Sequence, residues 1–211
     1  MIHAYDKIYL AQARNSLGLM IDFVVYDLEQ DLNTFWEVFI NSDICKKFET
    51  GSSRVVAGMS GVEMAYEVLG DKYWEIKRKP VMNRSAEYWL GWALAYYQWD
   101  TGLSFKDIDE MIDIMDLFSM YTKYHEIDIR HFCDKLNEIY ISRNTETNLK
   151  KVRQKSGLSQ SQLAIVTDIP VRTIQQYEQR QKDINKARAE YLIKFAKALY
   201  CDPEDLLEKI E

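Results

Sequence analysis

The stretch LKKVRQKSGLSQSQLAIVTDIPVRTIQQYEQR, residues 149–180, decides the fold of the C-terminal third of the chain. Leu149 and Val152 share one helical face with Lys150, Lys151, Arg153 and Lys155 around them, and Gly157 ends that helix. Ser159 is placed to cap a second helix running through Leu163, Ala164 and Thr167. Asp168 and Ile169 make a short turn. A third helix from Val171 to about Gln179 buries Ile174 and Tyr177 and turns Arg172, Gln175 and Gln176 outward. Downstream, Tyr191, Leu192, Phe195 and Leu199 mark a fourth helix over Lys186 to Leu199. Asp202-Pro203 opens a fifth, with Asp202 as cap and Pro203 at the first helical position.

The charge pattern sets this segment apart from the rest. The whole 211-residue chain carries a net charge of −6, which by itself argues against nucleic acid. Residues 148–211, however, hold 12 Lys/Arg against 9 Asp/Glu, a balance of +3, and residues 148–200 alone reach +7 with 11 against 4. Residues 1–147 hold 15 against 24, a balance of −9. Binding follows local potential, because salt screens charges beyond about 10 Å.

Upstream, helical spacing dominates as well, and three prolines and eight glycines leave little punctuation for a β fold. A long helix is expected from Tyr5 to about Gln30, bent near Gly18, and a second from Leu32 to Phe48 with Phe35, Trp36, Phe39 and Ile40 in a stripe. Glu49 to Met59 reads as a loop; Ser60 and Glu63 form a capping box for a helix that Gly70 ends. Tyr73 to Val81 is ambiguous. Ser85 to Trp99 is a strong helix with Tyr88, Trp92, Tyr96 and Trp99 on one face. Ser104 with Asp107 starts another, carrying Ile108, Met111, Ile112 and Met115, and Asp128 caps the next, with Phe132, Cys133, Leu136 and Tyr140 inward. The expected fold is all-α: an acidic helical domain over 1–141, a polar linker over 142–147, and a five-helix domain over 148–211.

Several classes of function find no support in the residues. No apolar run is long enough to cross a membrane and no secretion signal is visible, so a cytoplasmic protein without a membrane partner is expected. Cys45, Cys133 and Cys201 are odd in number and widely spaced, as reduced thiols would be. His125, His131 and Cys133 lack both a common face and a fourth ligand, so no metal or other cofactor is expected. No phosphate-cradling glycine loop, nucleophile elbow or zinc-protease signature occurs, and no enzyme activity is expected.

The run Leu-x-x-x-Arg-x-x-x-Gly-Leu-Ser-Gln from Leu149 to Gln160 resembles the opening of the Cro/C1-type (Xre) helix-turn-helix family. Leu163-Ala164, Ile174, Tyr177-Glu178 and the Ala196-Lys197-Ala198-Leu199 segment continue the resemblance in register over about 58 residues. The resemblance implies a lambda-repressor-like DNA-binding domain whose third helix enters the major groove. It places Val171, Arg172 and Gln176 at base-reading positions, beside Gln175, and makes Gln160 the glutamine that contacts phosphate and braces the reading helix. Arg pairs with guanine and Gln with adenine, while a valine meets a thymine methyl. Arg153, Thr173, Arg180 and Lys182 are assigned to phosphates or bracing, which position without specifying. Three residues depart from the family pattern: Asp168 where Gly is usual, Pro170 in place of a Ser or Thr cap, and Thr167 in place of an apolar residue.

The implied function is a regulator, most simply a repressor, that binds double-stranded DNA at a palindromic operator as a homodimer. For the acidic domain two readings stand side by side. One is a protein-interaction module, loosely like an antitoxin that neutralises a toxin; the other is a sensor whose aromatic pocket takes a small ligand. Both use Tyr88, Trp92, Tyr96 and Trp99 as the partner or pocket surface.

Overall fold

A computed structural model describes residues 3–70, 84–144 and 146–210, and the stretch around Tyr73 to Val81 lies outside them. The described residues are helical with no strand among them, so the chain is all-α. It divides into two compact units, Met1–Ile139 and Tyr140–Glu211.

The first unit runs α1 (Leu10–Tyr26), α2 (Leu32–Ile40), α3 (Asp43–Glu49), α4 (Ser53–Val56), α5 (Gly61–Leu69), α6 (Ala86–Thr101), α7 (Phe105–Met111), α8 (Ile114–Ser119), α9 (Tyr121–Tyr124) and α10 (Ile129–Arg143). Its centre is the pair α1 and α6, with α5 alongside α1. Leu17, Met20, Ile21, Phe23 and Val24 of α1 are fully buried, as are Leu90, Ala93, Leu94 and Tyr97 of α6. The two helices meet at glycines. A Cβ on Gly91 would stand 2.6 Å from Leu17 O and 2.9 Å from Gly18 Cα, and one on Gly18 would stand 2.7 Å from Tyr88 O. Gly18 therefore serves a close helix crossing within one continuous helix. Beside this crossing Trp36, Phe39, Phe48 and Phe105 pack ring against ring, and Trp36 Nε1 donates to Asp109 Oδ1 at 2.8 Å.

Several expected helices are shorter or broken, two of them at a polar cap. α1 begins only at Leu10, after a 3-10 turn over Lys7–Tyr9. The stripe read from Leu32 to Phe48 breaks at Ser42, whose Oγ accepts from Cys45 N and starts α3. The loop expected from Glu49 to Met59 contains the single turn α4. The helix begun at Ser104 stops at Met111, because Ile112 is extended and Asp113 caps α8; this leaves Met115 exposed. The expected capping box of Ser60 with Glu63 is formed, and Ser104 with Asp107, expected to start a helix, forms a second.

The second unit contains α11 (Asn148–Lys155), α12 (Gln160–Thr167), α13 (Val171–Glu178) and α14 (Ala189–Leu199). The division between the units falls inside α10, ahead of the polar stretch 142–147, because the helix continues to Arg143. α14 starts three residues later than Lys186, which belongs to a 3-10 turn, and the expected fifth helix is the 3-10 turn Pro203–Leu206.

Gly91→Ala tests the crossing. In an open helix Ala gains about 1 kcal/mol over Gly. Here the added methyl meets backbone, and overpacking of that kind costs about 1–3 kcal/mol. The expected outcome of thermal unfolding is a lowered midpoint; an unchanged or raised one would contradict the contact.

Candidate nucleic-acid interface

The second unit is built around Leu149, Leu163, Ile169, Ile174, Ile184, Phe195 and Leu206, all at most 3% exposed. Leu149 brings in α11, Leu163 α12 and Ile174 α13, while Ile169 fills the space at the turn between the last two. α12 starts at a capping box of Ser159 and Gln162. It stops at Asp168, whose backbone is left-handed with φ 54 and ψ 38. Asp tolerates that conformation better than most residues, though less well than Gly. α13 then opens at Pro170, which supplies no side-chain acceptor, and its first turn is closed by Thr173 N donating to Pro170 O at 2.8 Å. Thr167, buried to 3% exposure, donates its hydroxyl to Leu163 O at 2.7 Å. The polar atom in the core is thereby satisfied within its own helix.

One carboxylate ties the first three helices of the unit together. Arg153 of α11 grips Glu178 of α13 through two parallel bonds, Nε to Oε1 at 2.6 Å and Nη2 to Oε2 at 2.9 Å. Its remaining Nη1 donates to Leu158 O at 2.7 Å. Gln160, the first residue of α12, donates from Nε2 to Glu178 Oε2 at 2.7 Å and accepts from Gln175 Nε2 at 3.4 Å. The side chains of Arg153 and Glu178 are 10% and 1% exposed. The hydrogen bond to Glu178 raises the Arg153 pKa above its ordinary value.

This geometry changes the role read for Arg153. Its guanidinium is engaged inside the unit on Glu178 and Leu158, and is not free for a phosphate. In the sequence Glu178 figures only as part of the family pattern Tyr177-Glu178, and its organising role emerges from the geometry. The available signal was its place as a lone carboxylate on a helix otherwise free of acids.

The remaining assigned residues lie on α13 and the loop after it. Arg172 is exposed, Val171 is 37% exposed, and Thr173, Gln175 and Gln176 are half-buried. Lys182 is exposed. Arg180, in a left-handed backbone with φ 53, approaches Glu208 Oε2 at 3.6 Å through Nη2. The loop is folded back on α13, with Gln181 N and Lys182 N both donating to Gln176 O, at 2.9 and 3.1 Å. α12 also shows two bare aliphatic side chains that sequence reading did not single out, Ile165 at 81% and Val166 at 63% exposure.

Of the aromatic residues assigned to a surface on α6, Tyr88 and Trp99 are 4% exposed each. Trp99 is packed away: its Nε1 donates to Tyr5 O at 2.8 Å and His3 stacks on its ring. Trp92 and Tyr96 remain half-buried. Of the face that carries Tyr88, Trp92, Tyr96 and Trp99, only the middle two rings keep partial exposure, because α6 is enclosed on most of its circumference.

Two helices joined by a tight turn, with a basic and amide-rich face on the second and a buried ion pair behind it, define a helix-turn-helix DNA-binding domain. Residues 149–206 match the helix-turn-helix family, and this part of the chain is a Cro/C1-type domain of the Xre family. The protein is accordingly a DNA-binding transcription regulator. The match covers a little over a quarter of the chain. No curated protein and no solved structure matches the chain. Among the described residues no helix is long and apolar enough to cross a membrane, and no three His, Cys, Asp or Glu side chains are grouped to hold a metal ion.

Replacing Glu178 by Ala leaves the buried Arg153 without its counter-charge, a change expected to destabilise the second unit by about 3–5 kcal/mol. Replacing Arg153 and Glu178 together by Met removes both charges and is expected to recover most of that loss. Thermal unfolding of the single and double variants checks the difference. Equal losses in both would mean that the pair contributes only through its volume.

Proposed function

We propose that the protein is a repressor that binds a palindromic operator as a homodimer, with α13 of each copy in the major groove. The observation that carries this reading is the face of α13, where an exposed Arg172 and two half-buried glutamines lie on a helix pinned from behind by Glu178. Val171, Arg172, Gln175 and Gln176 meet base edges in this reading, Arg on guanine, Gln on adenine and Val on a thymine methyl. Thr173, Arg180 and Lys182 take phosphates; for Arg180 this means exchanging the 3.6 Å approach to Glu208 for a closer anion. Gln160 has its amide on Glu178 and so acts chiefly as the brace.

A dimer follows from the size of the reading surface. One helix of eight residues reads only a few base pairs. Two copies on half-sites about 34–36 Å apart multiply their affinities through a high effective concentration. The acidic balance of residues 1–147 repels a phosphate backbone and favours a role for the first unit away from the duplex. Repression needs nothing more than occupancy of the operator, and the DNA-binding unit alone supplies that.

Sequence-specific binding is expected to reside wholly in the second unit. A fragment of residues 1–139 that shifted operator DNA in a gel would overturn that assignment. Arg172→Ala is expected to weaken cognate binding by about 1–3 kcal/mol with little effect on random DNA. Lys182→Ala should weaken both and lower the salt-dependence slope by about one. An Arg172→Ala variant that lost the same affinity on both DNAs would refute the division between reading and positioning residues.

A further inference from the structure

The first unit, acidic as a whole, contains a cleft of opposite character. About 260 Å3 in volume, it lies between α6 and the α9–α10 region, and Tyr88, Trp89, Trp92, Tyr121 and His125 supply rings to its walls. Arg84 stands at its edge, with Cζ 4.5 Å from the centre of the Tyr88 ring. Among the described residues no carboxylate lines it. Three acids nearby are already engaged, two of them by the lining residues Ser85 and His125. Asp22 accepts from Ser85 Oγ at 2.6 Å, Glu87 accepts from Tyr26 Oη at 2.9 Å, and Glu126, 83% exposed, approaches His125 Nε2 at 3.5 Å.

The rings are held in fixed orientations. Trp89 and Tyr121 meet edge to face, with centroids 5.6 Å apart, and Tyr121 stacks on His125 at 4.2 Å. His125 Nδ1 is hydrogen-bonded to Tyr121 O at 2.8 Å, which keeps that stack in register. Trp92 is fixed by Arg14 of α1, whose Cζ lies 3.2 Å from the centre of the indole ring. Nε and Nη2 of Arg14 are buried and find no hydrogen-bond acceptor among the described residues. Burial lowers the Arg14 pKa to about 10, which still leaves the group charged at neutral pH. A cation without a bonded acid thus stands behind one aromatic wall of the cleft, and a second stands at its mouth.

We propose that this cleft binds a planar aromatic carboxylate, its ring between the aromatic walls and its carboxylate on Arg84. An apolar cavity of about 150 Å3 is already enough for benzene, so the volume admits a one- or two-ring ligand. Flat rings gain from edge-to-face and stacked neighbours held at these spacings. The guanidinium of Arg84 offers a carboxylate two parallel N–H bonds. In a unit where acids outnumber bases, an arginine-edged and ring-walled cleft with no carboxylate among its described lining residues selects for an anion with a flat body. The site stands on the first unit alone and does not depend on how the second unit reads DNA.

Calorimetric titration of the full chain with indole-3-carboxylate, indole and cyclohexanecarboxylate tests it without DNA. Indole-3-carboxylate is expected to bind saturably at one site per chain. Indole, which lacks the charge, and cyclohexanecarboxylate, which lacks the flat ring, should each bind at least roughly tenfold more weakly, the loss expected for one charge-assisted bond or one stacked ring. Arg84→Gln, at an exposed residue, should weaken indole-3-carboxylate by a similar factor, while Arg54→Gln, exposed elsewhere in the same unit, should leave it unchanged. Trp92→Leu, checked for retained helix content by circular dichroism, should weaken all the ring-bearing probes. Absence of saturable binding overturns the proposal. So does equal affinity for indole and its carboxylate, or an Arg84→Gln variant that binds like the parent.

Discussion

The architecture of the DNA-binding unit depends on a carboxylate that never meets solvent. Glu178 takes two bonds from Arg153 and one from Gln160, so α11, α12 and α13 are all referred to one pair of oxygens. Taking such ions out of water is costly, and a buried pair is seldom the strongest source of stability. Its value here is directional. Apolar contacts among Leu149, Leu163 and Ile174 would tolerate small rotations of α13 about its axis; a bidentate fork at one end and a glutamine bridge near the middle do not. Rotation by even part of a turn would exchange the exposed Arg172 and half-buried Gln176 for neighbouring side chains.

The helix-turn-helix was legible in the sequence because its signals are local. Ser159 and Gln162 cap, Asp168 turns and Ile174 and Tyr177 repeat at helical spacing, all within a window of 20 residues. The bond of Arg153 to Glu178 is hidden for the opposite reason. On its own helix it sits among three lysines and looks like part of a solvated basic face, while its partner is 25 residues away. No periodicity carries that information. The helix breaks at Ser42 and Asp113 were hidden differently, since the apolar stripe continues across both caps. Segments on either side of a break can face the same core, so pattern alone joins them.

The aromatic residues of α6 show a further limit. Four rings at helical spacing imply one outward or inward stripe. α6 instead buries Tyr88, Trp89, Tyr97 and Trp99 toward different neighbours and leaves Trp92 and Tyr96 partly open beside Arg14. A helix surrounded on most sides has no single face, and its hydrophobic pattern loses direction as a result. What fixes its position is the absence of side chains at Gly18 and Gly91, which lets two backbones approach to contact. Small residues of this kind carry no chemical signal in a sequence, although the core of the first unit is arranged around them.

The turn between α12 and α13 bears on the stability margin of the unit that reads DNA. Asp168 holds a left-handed backbone that glycine would adopt more easily, and Pro170 leaves the start of α13 without a side-chain acceptor. Each of these lowers the free energy separating the folded unit from its opened forms. Proteases act on opened chains, in proportion to their population when closing is fast. DNA binds only the folded unit and adds stability as its concentration rises above the dissociation constant. The smaller the intrinsic margin, the larger the share of a molecule's lifetime that occupancy determines. An imperfect turn beside the reading helix thus makes bound DNA a larger share of what holds the unit folded.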